Sequence, residues 1–410
     1  MEEGGDTVIT RIEIEGFRSF RDCAVDLSPF TVLVGQNSSG KTNLLEAIDL
    51  AGQLAGAAES VSWSGRGTDS FVWSDEVRPG GDRRGRVIDL FHRYADGTVA
   101  DRIRIAVDFL RSDATRGMSH LRMVLEIVHQ GGTTPPQVRG ELFSLADVPA
   151  RWRLTGDQSA EIRRNAPIAG AIDLIAWHAP RSHWYRLVPD PDAARQDPDL
   201  HDDERMARDA HNLSAVLGRL LAAPHRARQK ALQLQADAVA VLPGLTELRS
   251  TADPDRGTWE LDLAYRDAAP TPARLASDGT LHVLSVLAAA HDGTGGPVRS
   301  DCRTLMIEDV ENGLHPGQVK ELVRRLRRTT GSAALQQIIV TTHSPVVLAA
   351  LYPEHPDDVL FVDTVTRVGG GEAGSRHSRV RPLAESGERG TYVPAREARQ
   401  YLETAQAGTR

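Results

Sequence analysis

Two stretches of this chain hold residues whose types and spacing can do chemistry. In the first, FTVLVGQNSSGKTNLLEAI (30–48), the residues from Gly35 to Thr42 fit the pattern G-x-x-x-x-G-K-[ST]. An apolar run, Thr31 to Val34, precedes them, and a segment of helical spacing follows with Leu44, Leu45, Ile48 and Ala51 on one side. A loop so placed turns successive backbone N–H groups and the positive end of a helix toward phosphate oxygens, and glycine permits the close approach. Gly35, Gln36, Asn37, Ser38, Ser39, Gly40, Lys41, Thr42 and Asn43 are thus the candidate nucleotide-binding residues, with Lys41 meeting the β- and γ-phosphates and Thr42 ligating Mg²⁺. Lysine occurs only at positions 41, 230 and 320 among 48 Lys plus Arg. A phosphate cradle admits a compact ammonium and not a wide guanidinium fork, which gives the lysine at 41 its meaning.

The second stretch is TLMIEDVENGLHP (304–316), where the apolar run Leu305-Met306-Ile307 delivers Glu308, Asp309 and Glu311. An ionised carboxylate without a partner is costly to bury, so acids at the mouth of a buried strand face a metal, a base or a reacting water. A strand emerging beside the phosphate-loop strand would set Glu308 to hold magnesium and Asp309 to polarise an attacking water, with Glu311 able to share that work. Two further stretches end at similar junctions. Ser277-Asp278-Gly279-Thr280 stands ahead of a helix carrying Leu281, Leu284 and Leu287, and QIIVTTHSP is an apolar strand that ends in His343 before a new helix. Taken singly, the first reads as a helix cap and the second as a structural histidine.

In this order the four motifs resemble the ABC-type ATPase heads of the RecF, SMC and OLD relatives, often filed as AAA-type ATPases. There, strands like GFRSF lead into the phosphate loop, SDGT stands at the ABC signature, the acid pair and ENGLHP form the Walker B and D-loop, and THSP carries the switch histidine. The resemblance covers residues 8–55 and 270–350 and implies an α/β fold, a P-loop NTPase of ABC-ATPase-head type. It also implies ATP and Mg²⁺ as ligands and a homodimer on ATP binding. Lys41, Thr42, Glu308, Asp309 and His343 would act from one chain, while Ser277 and Gly279 would touch the γ-phosphate held by the other. Two residues depart from the family pattern. The acid pair runs Glu308 then Asp309 where Asp-Glu or Glu-Glu is usual, which predicts slow turnover because about 1 Å at a reacting centre costs on the order of 10²-fold. Ser38 stands where glycine is frequent, and no glutamine stands out as the Q-loop residue.

The elements that must position these residues follow from pattern and punctuation. Alternation through ITRIEIEGFRSFRDCAVDL predicts a hairpin, with Phe17 and Phe20 as packing residues. The expected organisation is an N-terminal lobe with the P-loop (1–62), an antiparallel β subdomain (63–153), a loop and helical insert (154–244), a C-terminal lobe (245–366) and a tail (367–410). The overall sheet is expected to be mixed. The insert is too short, and too poor in heptads, for a long coiled-coil arm. The tail is too short for the Toprim nuclease domain of OLD relatives, so a self-sufficient nuclease is disfavoured and a separate effector, nuclease or Toprim-like, is expected.

At 410 residues with 40% hydrophobic and 25% charged residues, the chain reads as globular. A net charge of −8 argues against a generally basic nucleic-acid coat, leaving local stripes such as Arg324, Arg325, Arg327 and Arg328, or Arg83, Arg84 and Arg86, so DNA stays a candidate partner. No signal peptide or membrane span is read, which gives a cytoplasmic expectation and no membrane partner. The two cysteines, Cys23 and Cys302, offer neither a disulfide framework nor a zinc motif. The leading function is an ATPase coupling nucleotide state to DNA or an effector, in repair or antiphage defence. The alternative is a nucleotide-gated scaffold with negligible hydrolysis.

Overall fold

The computed structural model describes residues 6–57, 69–72, 87–113, 117–128, 137–145, 184–203, 205–222, 228–292, 303–330, 336–367, 375–388 and 390–407. Arg83, Arg84, Arg86, Cys302 and the helix break at Ala223-Pro224 lie outside them.

The hairpin is β1 (Asp6–Phe17) and β2 (Phe20–Asp26), turned at Arg18, with Phe17 and Phe20 fully buried. It opens a six-stranded antiparallel sheet in the order β2-β1-β5-β6-β7-β4, where β4 is Asp69–Val72, β5 Arg102–Asp113, β6 Gly117–Val128 and β7 Gln137–Leu145. The expected boundary at 62/63 therefore falls inside one sheet. Strand β1 pairs with β5 from Asp6 to Glu15 and with β2 from Arg11 onward, so only its first residues lack a strand on the second edge.

A second six-stranded sheet is mixed, in the order β15-β14-β3-β13-β12-β8. Its strands are β3 (Phe30–Val34), β8 (Trp184–Leu187), β12 (Arg303–Ile307), β13 (Gln336–Thr342), β14 (Val359–Arg367) and β15 (Ser375–Pro382). All neighbours run parallel except β14 and β15. A third, three-stranded sheet joins β9 (Leu245–Asp253), β10 (Thr258–Tyr265) and β11 (Thr271–Pro272).

Period-2 alternation divides the mixed sheet between two cores. Leu33, Met306, Ile339, Leu360 and Val362 face the antiparallel sheet, and α1 (Lys41–Ala57) lies among them with Leu44, Leu45, Ile48, Ala51 and Leu54 buried. Val32, Val34, Leu305, Ile307, Ile338, Val340, Val359 and Phe361 face the other way. They pack with α2 (Leu213–Leu221), α3 (Arg228–Val241), α4 (Asp278–His291), α5 (Pro316–Thr329) and α6 (Pro345–Leu351). A helix α7 (Ala395–Ala407) follows β15. On α5, Arg325 pairs with Glu321 and Asp237, and Arg327 with Asp358, so half of that arginine cluster serves packing; Arg324 and Arg328 are exposed.

One polar side chain joins the sheets. Gln337 on β13 is fully buried; its Nε2 donates to Ile9 O (2.7 Å) and Ser28 O (3.0 Å), and its Oε1 accepts from Ile9 N (2.9 Å) and Thr304 Oγ1 (2.7 Å). Both donors and both acceptor lone pairs are used. Ile9 sits beside the β1 bulge, before the stretch of β1 that pairs with β2, so the side chain replaces the missing neighbour strand. Gln337→Ala should cost on the order of 3–5 kcal/mol in urea unfolding, because it strands several buried polar groups at once. A loss below about 1 kcal/mol would show that water enters and satisfies them.

Candidate nucleotide site

Strand β3 ends at Val34, fully buried, and the chain then turns through Gly35 to Gly40 into α1. Gly35 is required by close approach, since a Cβ there would stand 2.2 Å from Val362 O. Gly40 has φ +107°, and its Cβ would stand 2.2 Å from Ser378 Oγ. Ser38 takes φ +63°, the left-handed region in which glycine is cheapest, and this explains why glycine is frequent there. Behind the loop, Ser378 Oγ lies 2.6 Å from Ser39 O and 2.7 Å from Ser19 Oγ, and Asn43 Nδ2 donates to Ser19 Oγ (2.6 Å). The hairpin corner and β15 therefore brace the loop from outside.

Lys41 is 6% exposed, and its ammonium donates to Gly35 O (2.8 Å) and Gln36 O (2.9 Å), which leaves one of its three donors. Burial pushes it below the ordinary lysine range, while Asp309 and Glu311 pull it back up.

The acid-bearing strand does not lie beside the phosphate-loop strand. Helix α5 carries the chain from β12 back to β13, and β13 is the strand that pairs with β3. Glu308 thus reaches across two inter-strand spacings, roughly 10 Å. It still arrives: Thr42 Oγ1 lies 3.3 Å from Glu308 Oε2. Metal–oxygen bonds of ~2.0–2.1 Å put octahedral neighbours about 3 Å apart, so the pair fits one edge around a small hard cation such as Mg²⁺. The other carboxylate oxygen meets Arg186 of β8, which answers the question of what compensates a charge at a buried strand end.

Asp309 takes φ +42°, a conformation that aspartate tolerates better than most residues, with its N–H donating to Thr341 Oγ1 (2.9 Å). Its side chain is 52% exposed, and its Oδ1 lies 3.7 Å from His343 Nδ1. Glu311 is different. Its side chain is only 9% exposed, lies 3.2 Å from the same His343 nitrogen, and accepts the backbone N–H groups of His343 (2.9 Å) and Ser344 (3.0 Å). Glu311 ties the acid turn to the end of β13, and Asp309 stays open to solvent. Among the described residues, Asp309, Glu311 and His343 bring ligand-type atoms within 4.8 Å of one another. Below them His282 sits with Nε2 3.3 Å from Val310 O, its pKa lowered by burial.

Folding brings Lys41, Thr42, Glu308, Asp309, Glu311 and His343 together. Ser277 and Gly279 belong to a separate element: Ser277 caps α4, accepting from Thr280 N (3.2 Å), and Gly279 abuts the turn after the acids, where its Cβ would stand 2.3 Å from Gly313 O. Sequence reasoning missed Arg186, Ser378 and Tyr401, whose hydroxyl donates to His343 O (3.2 Å). No local motif marks them, since each acts on a residue more than 50 positions away.

Residues 103–349 match a family model described as AAA domain, putative AbiEii toxin, Type IV TA system. The chain belongs to that family. Residues 8–59 match a second model, AAA ATPase domain, which contains the phosphate loop and the start of α1. The chain is 33% identical over 123 residues to the DNA replication and repair protein RecF of Acidothermus cellulolyticus, covering 29% of this chain and 30% of that one. Against the RecF of Mesorhizobium japonicum it is 38% identical over 77 residues, 18% of this chain and 17% of that one. These matches span less than a third of the curated relatives. In fold, the AAA-type domain is similar to the Smc head domain with a coiled coil and joint from Pyrococcus yayanosii (TM-score 0.54, 11% identity, 98% and 100% of the chains covered). It is also similar to the Smc head domain with an extended coiled coil bound to the C-terminal domain of ScpA from Pyrococcus furiosus (TM-score 0.52, 15% identity, 98% and 100% covered).

The division of labour between the acids is measurable. Glu311→Ala should lower stability by about 2–4 kcal/mol, since it removes the acceptor of two backbone N–H groups, whereas Asp309→Asn should change it by less than ~0.5 kcal/mol. Thermal unfolding of the two variants side by side checks this, and equal effects would remove the anchoring role from Glu311.

Proposed function

We propose that this domain binds ATP with Mg²⁺ at the phosphate loop and hydrolyses it slowly. The observation that carries the reading is the approach of Thr42 Oγ1 to Glu308 Oε2, 3.3 Å apart across 266 positions of sequence. Loop N–H groups from Gly35 to Thr42, the start of α1 and the Lys41 ammonium neutralise the phosphates. Thr42 and Glu308 would hold the metal, which would supply further neutralisation of the transferring phosphoryl group. Asp309, open to solvent where Glu311 is engaged, accepts a proton from the attacking water, and His343 beside it orients the same water or a γ-phosphate oxygen. Because Asp309 is one methylene shorter than glutamate, the water is held less well, and turnover is low.

In this reading two copies clasp two nucleotides, with Ser277 and Gly279 of each facing the γ-phosphate bound by the other. ATP then joins the subunits and hydrolysis releases them, which transmits nucleotide state to DNA or to a separate effector. The similarity to RecF, a DNA replication and repair protein, supports the DNA side, and the likeness to an Smc head bound to the C-terminal domain of ScpA supports a protein partner. DNA repair is the role this similarity favours, and antiphage defence is the role that the family resemblance adds. No helix among the described residues is long and apolar enough to cross a membrane.

The short, left-handed Asp309 favours one second reading, a nucleotide-gated scaffold that holds an effector nuclease with negligible hydrolysis. Steady-state phosphate release decides between them. The wild-type rate should be low but at least tenfold above Lys41→Ala and Asp309→Ala; three equal rates would leave only the scaffold. Light scattering on Asp309→Asn should show the mass doubling on addition of ATP and Mg²⁺, and an unchanged mass would overturn the clasped dimer.

A further inference from the structure

Arg186 is 7% exposed and lies one register position below the end of β8, opposite Met306 on β12. Its Nε and Nη2 both meet Glu308 Oε1. Its Nη1 lies 3.5 Å from Glu46 Oε1 and 3.9 Å from Asp49 Oδ2, two acids of the first turns of α1. Arg208 reaches Asp49 Oδ2 at 3.2 Å and Arg18 pairs with Glu46, so the guanidinium lies in a cluster of alternating charges, hydrogen-bonded through Nε and Nη2 while Nη1 faces the two acids without a hydrogen bond. Glu46 titrates above the ordinary range because of burial, against the pull of Arg18 and Arg186.

This arrangement splits the Glu308 carboxylate. One oxygen is gripped from β8, and the other is presented to Thr42 Oγ1. Glutamate carries one more rotatable bond than aspartate, and a free glutamate arm at the metal would have to be ordered each time. Two nitrogens of a rigid fork on one oxygen remove that freedom before any ligand arrives.

We infer that Arg186 is the positioning residue that fixes the metal-facing oxygen of Glu308, and that it is what allows glutamate to stand there. The inference rests on the proposed reading of Glu308 as a metal ligand. A purely structural ion pair joining β8 to β12 would affect stability and leave metal dependence untouched. Outer partners of metal-ligating carboxylates typically change metal affinity by about 10–100-fold.

The test is binding of a non-hydrolysable ATP analogue to the full chain by calorimetry, over graded Mg²⁺ and in EDTA. Arg186→Lys keeps the charge and loses the fork. It should raise the Mg²⁺ concentration for half-maximal binding by about tenfold or more, while affinity in EDTA stays within about twofold. Glu308→Gln should shift the same curve, and the double variant should shift it no further. Glu308→Asp, which keeps the carboxylate and withdraws it from Arg186, should also raise the Mg²⁺ requirement, and this holds even if Arg186→Lys does not fold. A wild-type Mg²⁺ curve for Arg186→Lys or for Glu308→Asp, with Glu308→Gln shifted, would overturn the inference and leave the reading of Glu308 standing. A wild-type curve for Glu308→Gln would instead overturn that reading, and the inference with it.

Discussion

The fold depends on holding a buried helix between two sheets that share no strand. Helix α1 is buried on nearly every side, so it stays in place only while the antiparallel sheet and the mixed sheet close on it together. Gln337 fixes that closure. Its amide belongs to the mixed sheet, yet three of its four hydrogen bonds go to backbone atoms of Ile9 and Ser28, at the hairpin and just beyond it. A polar group so deep is stable only when every bond is made, which gives the pairing of the two sheets one register and no sliding alternative. The phosphate loop inherits this precision because it is the direct N-terminal continuation of α1.

Electrostatics then sorts five acids into different duties by burial and company. Glu46 and Asp49 lie inside with arginine partners. Glu308 is divided between Arg186 and Thr42, Glu311 spends one oxygen on two backbone N–H groups, and Asp309 alone stands half in water. Each carboxylate that has left water has gained a partner. The acid with the least support from the protein is the one best placed to exchange a proton with solvent.

Much of this was legible in the sequence, and the failures have physical causes. Glu308, Asp309 and His343 follow strand ends and Lys41 and Thr42 open the helix after β3, so in each case a short motif contains both the apolar run and the polar residues it delivers. The hairpin β1–β2 was marked by alternation around its turn residues. Strand β8 was hidden because WYRL is too short to show a period, and with it went Arg186. Strand order was misjudged for a different reason: β12 and β13 are both buried on two faces and read alike, so nothing local says which lies next to β3. The bracing serines 19 and 378 and Tyr401 were unreadable because a hydroxyl contact across the fold leaves no trace in spacing.

At the far edge of the site, α4 meets the turn after the acids through Gly279 and Gly313, with backbone against backbone and no side chain between them. Side chains usually cushion such contacts by changing rotamer; two glycines cannot. A rotation of the peptide at Gly313 must therefore be taken up by the first turn of α4 itself. The acid turn and the capped helix touch backbone to backbone, and a displacement of one has to be accommodated by the other.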